Sequence, residues 1–268
     1  MPARQRRRVL PALHPNLGIG AAYRRRVEAL IDEMNASLEY WLVAQWRKKT
    51  PVLAQDEAPL AGLRSVLRGL RKRWETKFDD AAPKFAEYFA TDAAKRVNGQ
   101  LAKILADSGM VVDFKFTKSM REAYGAVVAE NVALIKSIAS EHLTDVEGIV
   151  MRSVAQGRDL GSMAKELRER FDVPKKRAAL IARDQNNKAT SLLTRVRQQE
   201  AGINRAIWVH SGAGRHPRPD HVAFSAGRYT GRSGPGPEYD VTKGAYLEGK
   251  WTFPGYEINC RCVSRAIV

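Results

Sequence analysis

The sequence predicts an α+β fold, with long α-helices through the N-terminal two-thirds followed by a small strand-and-loop unit at the C-terminus. Two observations predict it. Apolar residues recur at three- and four-residue spacing from about Gly18 to Ala201, the period of helices that bury one face. Past Gly202 that period disappears, and Gly, Pro, His, Trp and Tyr become frequent to the end.

Residues 18–49 form the first predicted helix. No proline interrupts them, Val27, Leu30, Ile31, Met34, Leu38, Trp41 and Leu42 fall at helical spacing, and Pro51 supplies the stop. A connection at 51–59 leads to further helix over 60–107, punctuated near 79–83 and ended by Gly109. The alternating run 111–116 is extended by pattern, and Thr117 is placed to cap the next helix. Residues 118–157 carry a stripe of Val128, Val132, Ile135, Ile138, His142, Val146, Ile149 and Val154. A shorter helix over 160–171 and a last one begun by Pro174 and stopped by Gly202 complete the helical part. The organisation this implies is a helical arm over 1–110, then a domain over 111–268 that is helical at 117–201 and strand-and-loop at 203–268.

Composition narrows the function classes. With 268 residues, 44% hydrophobic and 28% charged, the chain is long and apolar enough to bury a core without staples. Its two cysteines, Cys260 and Cys262, are too close for a disulfide framework, so nothing calls for an oxidising compartment. Arg4, Arg6, Arg7 and Arg8 are followed by Pro11, His14 and Pro15 rather than an apolar core, and every apolar stretch is cut by charge well short of ~20 residues. Neither a signal peptide nor a membrane span is expected.

The net charge of +16 points to a polyanionic partner. The excess lies in two segments, 16 basic against 9 acidic residues over 1–80 and 12 against 3 over 174–232. Arg64, Arg68 and Lys72, four residues apart, share one helix face. Lys175, Lys176, Arg177, Arg183, Arg195 and Arg197 form a second cluster. The two are read as contacts to nucleic-acid phosphates that are blind to sequence, against the plainer reading of solvated charges. Trp41, Trp46 and Trp74 suit either a protein interface or a helical core.

Three of the five histidines, His210, His216 and His221, fall within twelve residues, and Cys260 and Cys262 follow nearby. If 258–263 is a strand, both thiols point to one face. His221, Cys260 and Cys262 are then candidate ligands of a structural zinc ion, with His210 or His216 as fourth donor; the alternative is apolar burial of two free thiols beside Trp208. The sequence has no H-E-x-x-H, no G-x-x-x-x-G-K and no G-x-S-x-G, and no carboxylate pair is singled out for acid and base work. No catalytic residue is expected. The glycine-rich run 231–237 lacks the Lys-Ser/Thr of a phosphate loop and reads as a surface loop.

The order of these motifs carries a resemblance. Residues 134–138 (Leu-Ile-Lys-Ser-Ile), 154–157 (Val-Ala-Gln-Gly), Arg177 with Leu180 to Arg183, Gly202 with Trp208, Arg218-Pro-Asp-His221, Gly227, Pro254-Gly255 and Asn259-Cys-Arg-Cys262 together resemble the phage Mu F-like head morphogenesis family. The resemblance runs from about Lys118 to the C-terminus and gives Trp208, Arg218, Gly227, Pro254, Gly255 and Asn259 structural roles. It departs from the family at Asp184-Gln185, where Thr-Glu is usual, and between Trp208 and Arg218, where an Asp is usual. It implies a minor head protein of a tailed double-stranded DNA phage, present in few copies at the portal vertex or capsid interior and assembled in the host cytoplasm. Its expected partners are the portal protein, scaffold and major capsid proteins and packaged DNA. The competing reading is a metal-dependent nucleic-acid-processing enzyme built on His221, Cys260 and Cys262.

Overall fold

In chain order the helices are α1 (Leu17–Lys48), α2 (Glu57–Ala106), α3 (Lys118–Ala155), α4 (Leu160–Arg170), α5 (Asp172–Glu200) and α6 (Pro219–Ser225). The strands are β1 (Arg205–Val209), β2 (Glu238–Asp240), β3 (Ala245–Leu247), β4 (Lys250–Thr252) and β5 (Val263–Ile267). The computed structural model describes residues 7–48, 57–157, 159–212 and 216–268, the side chains of 57–60 excepted. Arg4, Arg6, the expected stop at Pro51 and loop residues 213–214 lie outside the described residues. Long helices followed by short antiparallel strands are the α+β arrangement that the periodicity predicts.

Three local expectations change. α2 runs without a break through Pro83, because Phe78, Ala82 and Ala86 keep one buried register across it and only one backbone hydrogen bond is forfeited. The alternating run 111–116 forms no strand; Val111 and Phe116 are exposed, so its alternation does not mark a buried face. The strand expected at 258–263 begins only at Val263, after a turn in which the Cys260 N–H donates to the Glu257 carbonyl. Thr117 does cap α3, accepting the Met120 N–H at 3.2 Å.

The chain forms two compact units, each gathered from separate stretches. One contains Met1–Gly20, Tyr88–Val128 and Arg183–Val268; the other contains Ala21–Glu87 and Ala129–Ala182. These units do not follow a division at residue 110, because α1, α2, α3 and α5 each contribute residues to both.

The unit that holds the C-terminus is organised by a three-stranded antiparallel sheet of order β2-β1-β5. β1 is central, with Ala206 opposite both Tyr239 and Ala266. Val9 bridges Ile267 on the free edge of β5, and the Arg8 and Leu10 N–H groups donate to Val268 and Ala266 carbonyls at 2.8 Å. This segment continues the sheet and buries Leu10 and Leu13. The core comprises Ala206, Trp208, Phe224, Tyr239, Val241, Ala245, Leu247, Cys260 and Cys262, with Tyr229 and Phe253 against it. Gly236, at φ +74°, allows 231–237 to close on α6: a Cβ there would lie 2.3 Å from the Phe224 carbonyl oxygen.

The other unit is helical. Val27, Ile31, Met34, Leu38, Leu42 and Trp46 of α1, Leu63, Leu67, Leu70, Trp74 and Phe78 of α2, and Ile135, Ile138 and Val146 of α3 are all buried. Trp46 and Trp74 are therefore core residues, whereas Trp41 is exposed beside Tyr40 with ring centroids 5.1 Å apart. Inside this core His142 Nε2 donates to Asn35 Oδ1 at 2.8 Å, and Asn35 Nδ2 donates to the Phe171 carbonyl at 3.3 Å. Among the described residues no helix is long and apolar enough to cross a membrane.

Candidate functional site

β1 ends at Val209 and hands the chain to a loop that returns as α6. Pro219 opens that helix with a preset φ, and Arg218, the residue before it, is held by Glu248 Oε2 at 3.2 Å and the Ile258 carbonyl at 3.1 Å. The fixed helix start delivers His221 into the core, where its ring meets Trp208 edge-on at 4.9 Å. Gly227, at φ +70°, closes the helix with its N–H on the Phe224 carbonyl.

The cysteines arrive from the other side. Asn259 takes a left-handed conformation at φ +61°, and its N–H donates to Asp184 Oδ1 at 2.7 Å while its Oδ1 accepts from Arg183 Nη2 at 3.1 Å. Asp184 is itself paired with Lys188 at 3.1 Å, so α5 grips the turn that leads into Cys260. Pro254 is buried, with its carbonyl accepting from Ser191 Oγ at 2.5 Å. Gly255 sits at φ +80°, where a Cβ would approach the Cys262 carbonyl to 3.1 Å.

His221 Nδ1 then lies 3.5 Å from Cys260 Sγ and 3.8 Å from Cys262 Sγ. All three residues are buried, and their ligand atoms lie within 4.8 Å of one another. The Cys260 thiol is held well below its ordinary range because it accepts hydrogen bonds from Cys262 and His221. Cys262 is pushed up because it donates to Cys260 and is buried. A polar cavity of about 40 Å³ adjoins the cluster, with His210, His216 and Arg218 on its wall. His210 and His216 do not join the ligand group. His210 Nδ1 instead accepts the Gly212 N–H at 3.1 Å, which assigns its ring proton to Nε2. No Asp or Glu joins the group among the described residues.

Residues 144–265 match the family described as Phage Mu protein F like protein. The matched stretch runs from the later part of α3 into β5 and contains Asp184, Trp208, His221, Asn259, Cys260 and Cys262. Residues 134–138, part of the resemblance read from the sequence, fall before it. A Haemophilus influenzae protein that is named only as uncharacterized is 32% identical over 145 residues, which is 54% of this chain and 29% of that protein. The chain therefore spans less than a third of that relative's length. No solved structure matches.

Within the matched segment Trp208, Arg218, Gly227, Pro254, Gly255 and Asn259 all shape the core or the turns around the cluster. Asp184 is the site residue that sequence reasoning missed. It stands one position before the family's usual Glu, and its carboxylate anchors the Asn259 turn. Its near-coincidence with that acidic slot is the signal that could have found it.

The basic residues divide. Arg64, Arg68 and Lys72 are exposed on one face of α2, without an ion-pair partner among the described residues. The second cluster divides between surface and interior. Arg197 is fully buried, bonded to Asn98 Oδ1, the Lys115 carbonyl and Glu200 at 2.5–2.8 Å, with the Phe114 ring at 4.9 Å. Arg195 stacks over Phe253 at 3.8 Å. Lys175 pairs with Asp32 at 2.5 Å and Arg177 with Glu141 at 2.6 Å. Arg195 and Arg197 are therefore structural residues rather than surface contacts, whereas Lys175 and Arg177 stay at the surface in ion pairs with the exposed carboxylates of Asp32 and Glu141. Lys176 and Arg183 are exposed, and Arg183 donates to Asn259.

Proposed function

We propose that this chain is a minor head protein of a tailed double-stranded DNA phage, taken into the head in few copies at the portal vertex. The observation that carries the reading is the Mu F-like match over 144–265, a stretch that includes the Cys/His cluster and every turn that shapes it. The role is structural: the cluster is buried and is offered no carboxylate to serve as a general base, among the described residues. The portal protein is the principal partner, with scaffold and major capsid proteins as further contacts during assembly in the host cytoplasm.

A second element of the proposal is non-specific contact with packaged DNA. The net charge of +16 supports it, as does the exposed row Arg64, Arg68 and Lys72, which has no ion-pair partner among the described residues. Such a row suits the evenly spaced phosphates of a duplex and reads no base. Co-expression of the full chain with the portal protein encoded in the same genome tests the central partnership. A stable complex that survives gel filtration is expected, and separate elution of the two proteins would contradict it.

A further inference from the structure

We propose that His221, Cys260 and Cys262 bind one Zn²⁺ ion through Nδ1 and the two Sγ atoms, with the fourth coordination position opening onto the adjoining polar cavity. A tetrahedral zinc with bonds of about 2.0–2.3 Å requires its ligand atoms to stand roughly 3.6–3.8 Å apart. The His221 Nδ1 separations of 3.5 and 3.8 Å lie close to that spacing, and all three ligand atoms lie within 4.8 Å of one another, so an ion would enter with modest adjustment of the side chains. Two thiolates and an imidazole are soft ligands that suit zinc and do not suit magnesium or calcium.

Charge balance favours the same ion. Each cysteine releases its S–H proton to solvent on binding, and two thiolates then cancel the 2+ charge around a neutral imidazole. The complex is neutral, which suits a place where all three ligands are buried. The ligands are also preset: Pro219 and Arg218 fix the start of α6, and Asp184 fixes the turn before Cys260. His221 is 39 residues from Cys260 and 41 from Cys262, so the ion clips a long loop between α6 and the segment entering β5. The cavity of about 40 Å³ has room for a water at the fourth position. His210 is not that fourth ligand, since its Nδ1 already accepts a backbone N–H.

Elemental analysis of the full chain, expressed with added zinc and purified without chelator, tests the proposal. One zinc per chain is expected, falling to background in Cys260→Ser, Cys262→Ser and His221→Ala and retained in His210→Ala and His216→Ala. Because the core variants can also fail to fold, the unaltered chain is loaded with Co²⁺ in parallel. A thiolate-to-cobalt charge-transfer absorption that zinc abolishes is expected, together with a chelator-dependent fall in melting temperature. A chain that shows no such absorption and melts identically with and without zinc overturns the site. Loss of zinc from His210→Ala or His216→Ala as complete as from Cys260→Ser overturns its three-ligand form.

Discussion

Asp184 shows how one side chain supports a functional turn from a distance. Its carboxylate, 7% exposed, accepts the N–H of a residue held at positive φ and pairs with Lys188. Asp184→Ala leaves that N–H without its acceptor and should cost about 1–3 kcal/mol. Urea unfolding of the full chain checks this, with Asp184→Asn expected to lie between the two; an unchanged midpoint would refute the anchoring role. His142 gives a pH-dependent counterpart. Burial lowers its pKa to about 4, against an opposing effect of Asp145. Its Nε2–H is used on Asn35, and Nδ1 is buried with no hydrogen-bond partner among the described residues. Above the ordinary value of 6.5 neither state binds the proton, so His142 has no effect on stability there. Between 6.5 and about 4 the unfolded chain takes up a proton that the folded chain refuses. Stability therefore falls with falling pH, by at most about 1.4 kcal/mol per unit from this group. His142→Gln should show a shallower decline across that window, and parallel curves for the two proteins would contradict the assignment.

At the scale of elements, the short N-terminal stretch has the largest consequence for its length. Val9 extends the sheet beyond β5 and Leu10 is 1% exposed, so this stretch is part of the C-terminal core despite its distance in sequence. Leu10→Ala should destabilise by about 2–5 kcal/mol, as truncation of a buried leucine does. A melting temperature within error of the parent would show that the segment is dispensable. Nothing in the sequence announced this strand, because a single bridge has no period to read. The long helices were legible for the opposite reason: a stripe such as Ile135, Ile138, His142, Val146 and Ile149 repeats over many turns. α6 was not, since seven residues begun by Pro219 give too few turns for a pattern. The Cys/His cluster was legible in composition, yet the strand assigned to its cysteines was wrong, because Asn259 turns the chain before β5 starts. Arg197 was misread although it keeps the register of Ala189 and Leu193, both buried; on that face an arginine turns inward where Asn98 takes its Nε–H and the Lys115 carbonyl and Glu200 take its Nη1.

For the whole molecule, the sum of charge overstates the exposed cationic surface. Arg197 is buried against Glu200, and Lys175 and Arg177 are held in surface ion pairs, which leaves Arg64, Arg68 and Lys72 as an exposed row with no ion-pair partner among the described residues. Each phosphate contact adds about 0.9 to the slope of log affinity against log salt. Replacing all three by Ala should therefore reduce that slope by about 3 in a filter-binding titration with duplex DNA. Replacing the buried Arg197 instead should lower stability and is not a test of DNA contact. An unaltered slope in the triple variant would remove this face from the account. The central claim is that the chain is a structural component of a phage head, and it rests on the Mu F-like match. Quantitative mass spectrometry of purified heads from the phage that encodes it measures this directly. The account predicts the chain in every preparation at a fixed, small number of copies relative to the major capsid protein, retained after a high-salt wash. Its absence from washed heads, with all of it recovered in the soluble lysate, would contradict the account.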